Sequence, residues 1–118
     1  SVTIDEDLLD AANIVEGQRV DIADIDNGKR LSTYTIAGPR GSGVVQLNGA
    51  AAHLVSVDDL VIIMAYCQVP ESQVRGWKPS VAFVDEHNRI IETGDSAGRV
   101  PEDSERAREL GLKSAGKP

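Results

Sequence analysis

The stretch Asp24-Ile25-Asp26-Asn27-Gly28-Lys29-Arg30-Leu31-Ser32-Thr33-Tyr34 constrains the fold more than any other part of the chain. Asn-Gly between two alternating, β-prone runs is the strongest short-range signal for a hairpin. A type I′ turn needs positive φ at both central residues, which Asn tolerates and Gly adopts freely. A two-residue turn predicts that Asp26 pairs with Lys29, Ile25 with Arg30, Asp24 with Leu31 and Ile22 with Thr33. On the returning strand Arg30, Ser32 and Tyr34 then share one face, and Leu31, Thr33 and Thr35 the other. A cation, hydroxyls and a phenol are thus gathered on one rigid element. Charges that protect an edge strand from aggregation, beside a packing tyrosine, account for the same residues in purely structural terms.

Two further features bear on that choice. The sequence starts at Ser1 without Met, as expected either from trimming or from a specific cleavage that leaves serine at the new terminus. A second Asn-Gly, Asn48-Gly49, opens a run of small residues through Ala52.

The chain's 118 residues suit one domain with a modest core. Hydrophobic residues make up 41% but aromatics only 3%, so the core must be built from Val, Ile, Leu and Ala. A formal charge of −7 argues against a nucleic-acid partner and means that an anionic ligand needs a local cation. A single cysteine, Cys67, rules out an internal disulfide and fits a reducing, cytoplasmic setting. With no Cys-x-x-Cys or His-x-x-x-His spacing, no metal is expected. The apolar run Leu60 to Tyr66 is far too short to span a bilayer, so no membrane partner is expected.

Along the chain, Val2 to Ile4 reads as a strand, Asp5 as the N-cap of a helix from Glu6 to Ala12, and Asn13 as its stop. Arg19 to Ile25 and Lys29 to Ala37 are the hairpin strands. The loop Gly38 to Gly43 lacks the Gly-Lys-Ser/Thr ending of a phosphate cradle. Val44 to Leu47 is expected as a fourth strand, closed by Asn48-Gly49. The strand around Leu60 to Tyr66, opened by Val57, is expected to be buried on both faces or central in a closed barrel. Cys67 is expected to pack at its end, and His53 to be structural. A loop or single helical turn follows from Val69, then a last hairpin of Val81 to Asp85 and Arg89 to Glu92. Residues 1–92 are expected to form the barrel domain and 93–118 a polar tail, with a short surface helix over 102–110.

The chain also echoes itself. Ala11-Ala12-Asn13-Ile14-Val15, followed by Asp21-Ile22, aligns with Ala51-Ala52-His53-Leu54-Val55, followed by Val61-Ile62, at an offset of 51 − 11 = 40 residues. Two interlocked halves of strand, small-residue turn and strand suit a closed all-β domain.

Ser1-Val2-Thr3-Ile4-Asp5, the stretch from Asn27 to Tyr34, and Asn48-Gly49-Ala50-Ala51-Ala52-His53 together resemble the aspartate 1-decarboxylase family, in its processed α chain. The resemblance runs from Ser1 to about Phe83. It implies an all-β fold, a six-stranded double-psi β-barrel with short helices. It also implies pyruvoyl-dependent decarboxylation of L-aspartate to β-alanine and CO2 through a Schiff base, for pantothenate biosynthesis. The family's precursor cuts itself before the serine, which becomes the covalently bound pyruvoyl cofactor. A short N-terminal β chain from the same precursor and a homotetramer with sites between subunits are implied partners. Carried over by motif, Ser1 is the pyruvoyl precursor and Tyr34 the proton donor. Arg30 is the substrate carboxylate clamp, Thr33 a substrate and processing hydroxyl, and Asn48, Gly49, Ala50 and Ala51 line the substrate pocket.

The chemistry is consistent on its own terms. Decarboxylation leaves a carbanion at Cα that no ordinary side chain delocalises, whereas an electrophilic carbonyl condensed with the substrate amine does. Arg30 offers a planar fork for a carboxylate, and Tyr34 a proton within reach. One tension is local: on a regular strand Thr33 and Tyr34 point to opposite faces, so a bulge, a strong twist or a site shared between subunits is needed to join them. Two other readings use the same residues. In an N-terminal-nucleophile hydrolase Ser1 would keep its hydroxyl and its own amine would act as base. In a small barrel serving as an interaction module, Ser1 would carry no function.

Overall fold

β-Branched Val2-Thr3-Ile4 opens the chain as β1 (Val2–Asp5), whose Val2, Ile4 and Asp5 are buried. The structure, a computed structural model, describes residues 1–96 together with Arg108 and Glu109. Asp5 ends β1 and caps α1 (Glu6–Ala11), its side chain accepting the Asp7 N–H at 2.9 Å, with Glu6 and Asp7 on the electropositive first turn. The helix stops where Asn13 adopts φ of 56°. There the Ile14 N–H reaches the Leu9 carbonyl at 2.9 Å and the Asn13 N–H reaches Asp10 at 3.1 Å, a Schellman closure that also buries Ile14.

β2 (Arg19–Asp24) alternates cleanly, with Val20, Ile22 and Asp24 turned inward. β3 (Arg30–Gly38) returns antiparallel to it, but the expected two-residue turn is not formed. The observed pairs are Ala23 with Arg30, Ile22 with Leu31 and Val20 with Thr33. Residues 25–28 make a longer loop because the Asp24 carboxylate takes the Asp26 and Asn27 N–H groups at 2.8 and 3.3 Å. Only Gly28 there has positive φ, at 74°. The slip is two residues, so the faces of β3 stay as expected.

β4 (Val45–Leu47) follows, and the second Asn-Gly leads into a 3-10 helix (Gly49–His53) rather than closing a hairpin. β5 (Val61–Met64) is shorter than expected, and it is an edge strand rather than a central one. Ile62 is 49% exposed and Val57 93%, so the apolar run is not buried on both faces. Cys67, expected to pack, is exposed. α2 (Glu71–Val74) supplies the single helical turn, and β6 (Val81–Val84) pairs with β7 (Ile90–Gly94) as the last hairpin. β7 runs two residues past the expected domain limit at 92. Of the helix expected over 102–110, only Arg108 and Glu109 are described, both helical and exposed; the rest lies outside the described residues.

The architecture is all-β: a curled half-barrel sheet of order β4-β1-β3-β2-β5, with β6-β7 as a separate pair and only short helices. Among the described residues this ladder has β4 and β5 as its edges, five strands beside the two of the last hairpin, consistent with the all-β barrel fold expected. The 40-residue echo is topological. β1-α1-β2 recurs as β4, 3-10 helix, β5, and β1 pairs antiparallel with β4 as β2 does with β5. The core is aliphatic, made of Val2, Ile4, Leu9, Ile14, Val20 and Ile22, with Leu31, Val45, Leu47 and Ile63 packed against it.

The Gly38–Gly43 loop does cradle an anion, but it is the protein's own. Gly41 and Gly43 donate their N–H groups to the Asp5 carboxylate at 3.1 and 2.9 Å. Gly43 sits at φ of 70° with the His87 carbonyl where a Cβ would lie, 2.4 Å away, so only glycine lets the last hairpin dock here. Asn88 Nδ2 completes the joint by donating to the Gly43 carbonyl at 2.9 Å.

Candidate active site

β3 changes partners midway. Its residues Thr35 to Gly38 run parallel to β1, whereas Arg30 to Tyr34 pair with β2 on the other side. Val2 lies opposite Thr35, so one step back along both strands Ser1 comes alongside Tyr34. Beyond that step β1 has ended, and a cavity of about 480 Å3 opens beside β3. Ser1, Leu31, Ser32, Thr33, Tyr34, Asn48, Gly49, Ala50, Ala51 and Leu54 line it. The opposite facing of Thr33 and Tyr34 is reconciled here, because the cavity meets the strand along its edge, where residues of both faces reach it.

Asn48 fixes the other flank of Ser1. Its backbone N–H donates to the Ser1 carbonyl at 2.8 Å, extending the β1–β4 ladder by one residue. Its Nδ2 donates to Ser1 Oγ at 3.1 Å and to Thr3 Oγ1 at 3.0 Å. The Ser1 amine in turn donates to the Asn48 carbonyl at 3.4 Å. Gly49, with φ of 62°, then turns the chain into the 3-10 helix, so that Ala50 and Ala51 form a wall of methyl groups and backbone.

Of the residues singled out from sequence, Ser1, Thr33, Tyr34, Asn48, Gly49, Ala50 and Ala51 come together in this cavity. Arg30 does not line it. It stands exposed at the start of β3, on the face of Ser32 and Tyr34 and opposite Ala23. Tyr34 is 53% exposed. Three lining residues, Leu31, Ser32 and Leu54, were not singled out. Ser32 and Leu31 lie inside the hairpin stretch and were open to inference from it. Leu54 carries no sequence signal, since only the 3-10 turn returns it to the cavity. Ser32 Oγ donates to Asp21 Oδ1 at 2.5 Å and accepts from the Arg19 guanidinium at 3.4 Å, which anchors it toward β2.

The arrangement presents an N-terminal residue, held at its hydroxyl and carbonyl, next to a phenol and a small-residue wall. Such a cavity suits a small substrate approached closely by backbone. The family model described as aspartate decarboxylase matches residues 1–91.

Proposed function

The chain belongs to the aspartate decarboxylase family, a lyase family, and from that premise we propose that it converts L-aspartate to β-alanine and CO2 with a pyruvoyl group derived from Ser1. The observation that carries this reading is Ser1 at the cavity, with Oγ held by Asn48 Nδ2 at 3.1 Å. The residues around it fit a ketoacyl group. Alanine and glycine leave room for it, and the Asn48 backbone N–H already holds the carbonyl of residue 1, which conversion leaves in place. When formed, the pyruvoyl group supplies the electrophilic carbonyl that withdraws electrons as the carboxylate leaves.

The chain's own residues have separable tasks. Asn48 orients residue 1 through paired backbone and side-chain contacts. Thr33 contributes a hydroxyl on the cavity wall, for substrate and for precursor processing. Tyr34 donates the proton that Cα receives, because it lines the cavity with Ser1 and its phenol carries an O–H donor. Arg30, exposed at the start of the strand that carries Thr33 and Tyr34, takes a substrate carboxylate, giving a dianion a cation within a chain of net charge −7. Gly49, Ala50 and Ala51 limit the pocket to a small amino acid.

In this reading the chain arises by self-cleavage of a precursor before Ser1 and works in the cytoplasm, in pantothenate biosynthesis. It assembles as a homotetramer with the short N-terminal β chain of the same precursor. The edge position of β5, with Ile62 49% and Tyr66 68% exposed, supports such an assembly. Residues 1–92, together with the last two residues of β7, are taken as the catalytic domain and the rest as a tail. Intact mass of active protein tests the central point: a chain lighter by one ammonia than the serine form is expected. Full activity from a chain with unmodified Ser1 would overturn it.

A further inference from the structure

Away from the cavity, the β2–β3 loop and the segment before β5 bring three carboxylates together. One oxygen from each of Asp24, Asp26 and Asp59 lies within 4.8 Å of the others. Asp24 is only 2% exposed, at the inward end of β2. Its Oδ1 accepts two backbone N–H groups, whereas its Oδ2 is buried without an N–H or hydroxyl donor, and the Asp59 carboxyl lies within hydrogen-bonding reach of the group. Backbone contacts fix the other two as well. Asp26 Oδ2 accepts the Leu60 N–H at 2.7 Å, and Asp59 Oδ2 accepts the Ser56 N–H at 2.9 Å. A buried carboxylate oxygen with no donor is costly unless a proton or a cation meets it. Burial, and after it the Asp59 carboxyl, accordingly raise the Asp24 carboxyl above its ordinary 3.8.

We propose that Asp24, Asp26 and Asp59 form a divalent-cation site of the hard, oxygen-ligated kind that suits Ca2+. Ca2+ binds oxygens at about 2.3–2.6 Å, so ligands on opposite sides of one ion stand up to about 5 Å apart. The three oxygens, all within 4.8 Å of one another, lie within that span. Mg2+ demands a stricter octahedron at about 2.1 Å and gives up its waters reluctantly, which suits a cage of protein carboxylates less well. Carboxylates without thiolate or imidazole select a hard ion. Asp26 is exposed and Asp59 partly so, which leaves room for water to complete the shell. The ion ties the β2–β3 loop to the segment 54–60. Asn27 Nδ2 donates to the Leu54 carbonyl at 3.0 Å, and Leu54 lines the cavity, so the ion stiffens a cavity wall from behind.

Thermal unfolding of the processed, full-length protein tests this in chelator-treated buffer at neutral pH. CaCl2 should raise Tm by several degrees at tenfold excess over Kd, beyond NaCl of matched ionic strength and beyond MgCl2. Calorimetric titration should find one Ca2+ per chain. Asp59→Asn should lose both the shift and the heat, and Asp26→Asn should repeat that result if Asp59→Asn fails to fold. If the carboxylates share a proton instead, Tm ignores Ca2+ and falls as pH rises, which overturns the proposal. A Ca2+ shift that survives in both variants overturns it equally.

Discussion

Asn48 holds Ser1 through side chain and main chain at once, its Nδ2 at 3.1 Å from Ser1 Oγ and its N–H at 2.8 Å from the Ser1 carbonyl. The two residues are 47 apart in sequence. Orientation of residue 1 therefore depends on the β1–β4 pairing, and the side-chain contact can be removed while that pairing stays.

Asn48→Ala should fold, because the backbone bonds remain, yet it leaves both Ser1 Oγ and Thr3 Oγ1 without their donor. Because a pyruvoyl group carries a methyl where serine carries Oγ, the loss of this positioned hydrogen bond, about 1–3 kcal/mol, predicts conversion of Ser1 slowed about 10- to 100-fold. Intact mass of variant and wild type followed over time reports the processed fraction and checks this.

Arg30→Lys keeps the charge and removes the fork. If Arg30 clamps a carboxylate, kcat/KM should drop about 10-fold or more. Unchanged kcat/KM would make Arg30 a solvated edge charge, which its exposed place at the start of β3 also allows.

Tyr34→Phe separates packing from proton donation. The ring is 53% exposed, so its hydroxyl contributes little to stability. A lost general acid costs about 10²–10⁴-fold in rate. kcat should fall by that factor with KM changed less, and a near-normal kcat in folded, processed variant would remove Tyr34 from the reaction.

Asp5 sets the acid limit of the fold. Burial alone would raise its carboxyl, but the N–H groups of Gly43, Asp7 and Gly41 outweigh that and hold it below the ordinary 3.8. A carboxyl lowered in the folded state stabilises above its unfolded value, and that contribution is lost as pH falls through the folded one. Asp5→Ala should cost about 1–3 kcal/mol at pH 7 by urea unfolding, with the gap to wild type narrowing below about pH 4.

Asp24 has the opposite sign. Its raised carboxyl favours the folded state at low pH, and that advantage fades as pH rises through the folded value. Without divalent cations, Asp24→Asn should therefore be at least as stable as wild type at neutral pH. Its amide oxygen can still accept the Asp26 and Asn27 N–H groups. Urea unfolding of both proteins between about pH 5 and pH 8 gives the comparison.

The sequence carried the local elements well because each has a chemical marker: Asp5 before α1, Asn13 after it, alternation along β2. Its errors have physical causes. The Asn-Gly signal assumed that the turn residues decide the turn, whereas Asp24, a strand residue, captures two loop amides and lengthens it. The run Leu60 to Tyr66 reads as buried because composition cannot tell an interior strand from an edge with an apolar outer face. Ser1, Tyr34 and Asn48 were legible through their motifs. What brings them together, the change of partner along β3, is a property of long-range pairing. The carboxylate trio was silent for the same reason, since Asp59 is far from Asp24 along the chain.

That change of partner also divides the cavity into walls of unequal freedom. Tyr34 is followed directly by Thr35, which is fully buried and hydrogen-bonded to the Val15 carbonyl at 2.8 Å, so this wall cannot shift without disturbing the core. The facing wall, Gly49 to Ala51, is a solvent-flanked turn with no fully buried side chain. Substrate range is therefore open to redesign, or to evolutionary drift, from the turn alone. On the function proposed above, enlarging or recharging residues 50 and 51 should alter what fits while leaving the strand that carries Tyr34 in place.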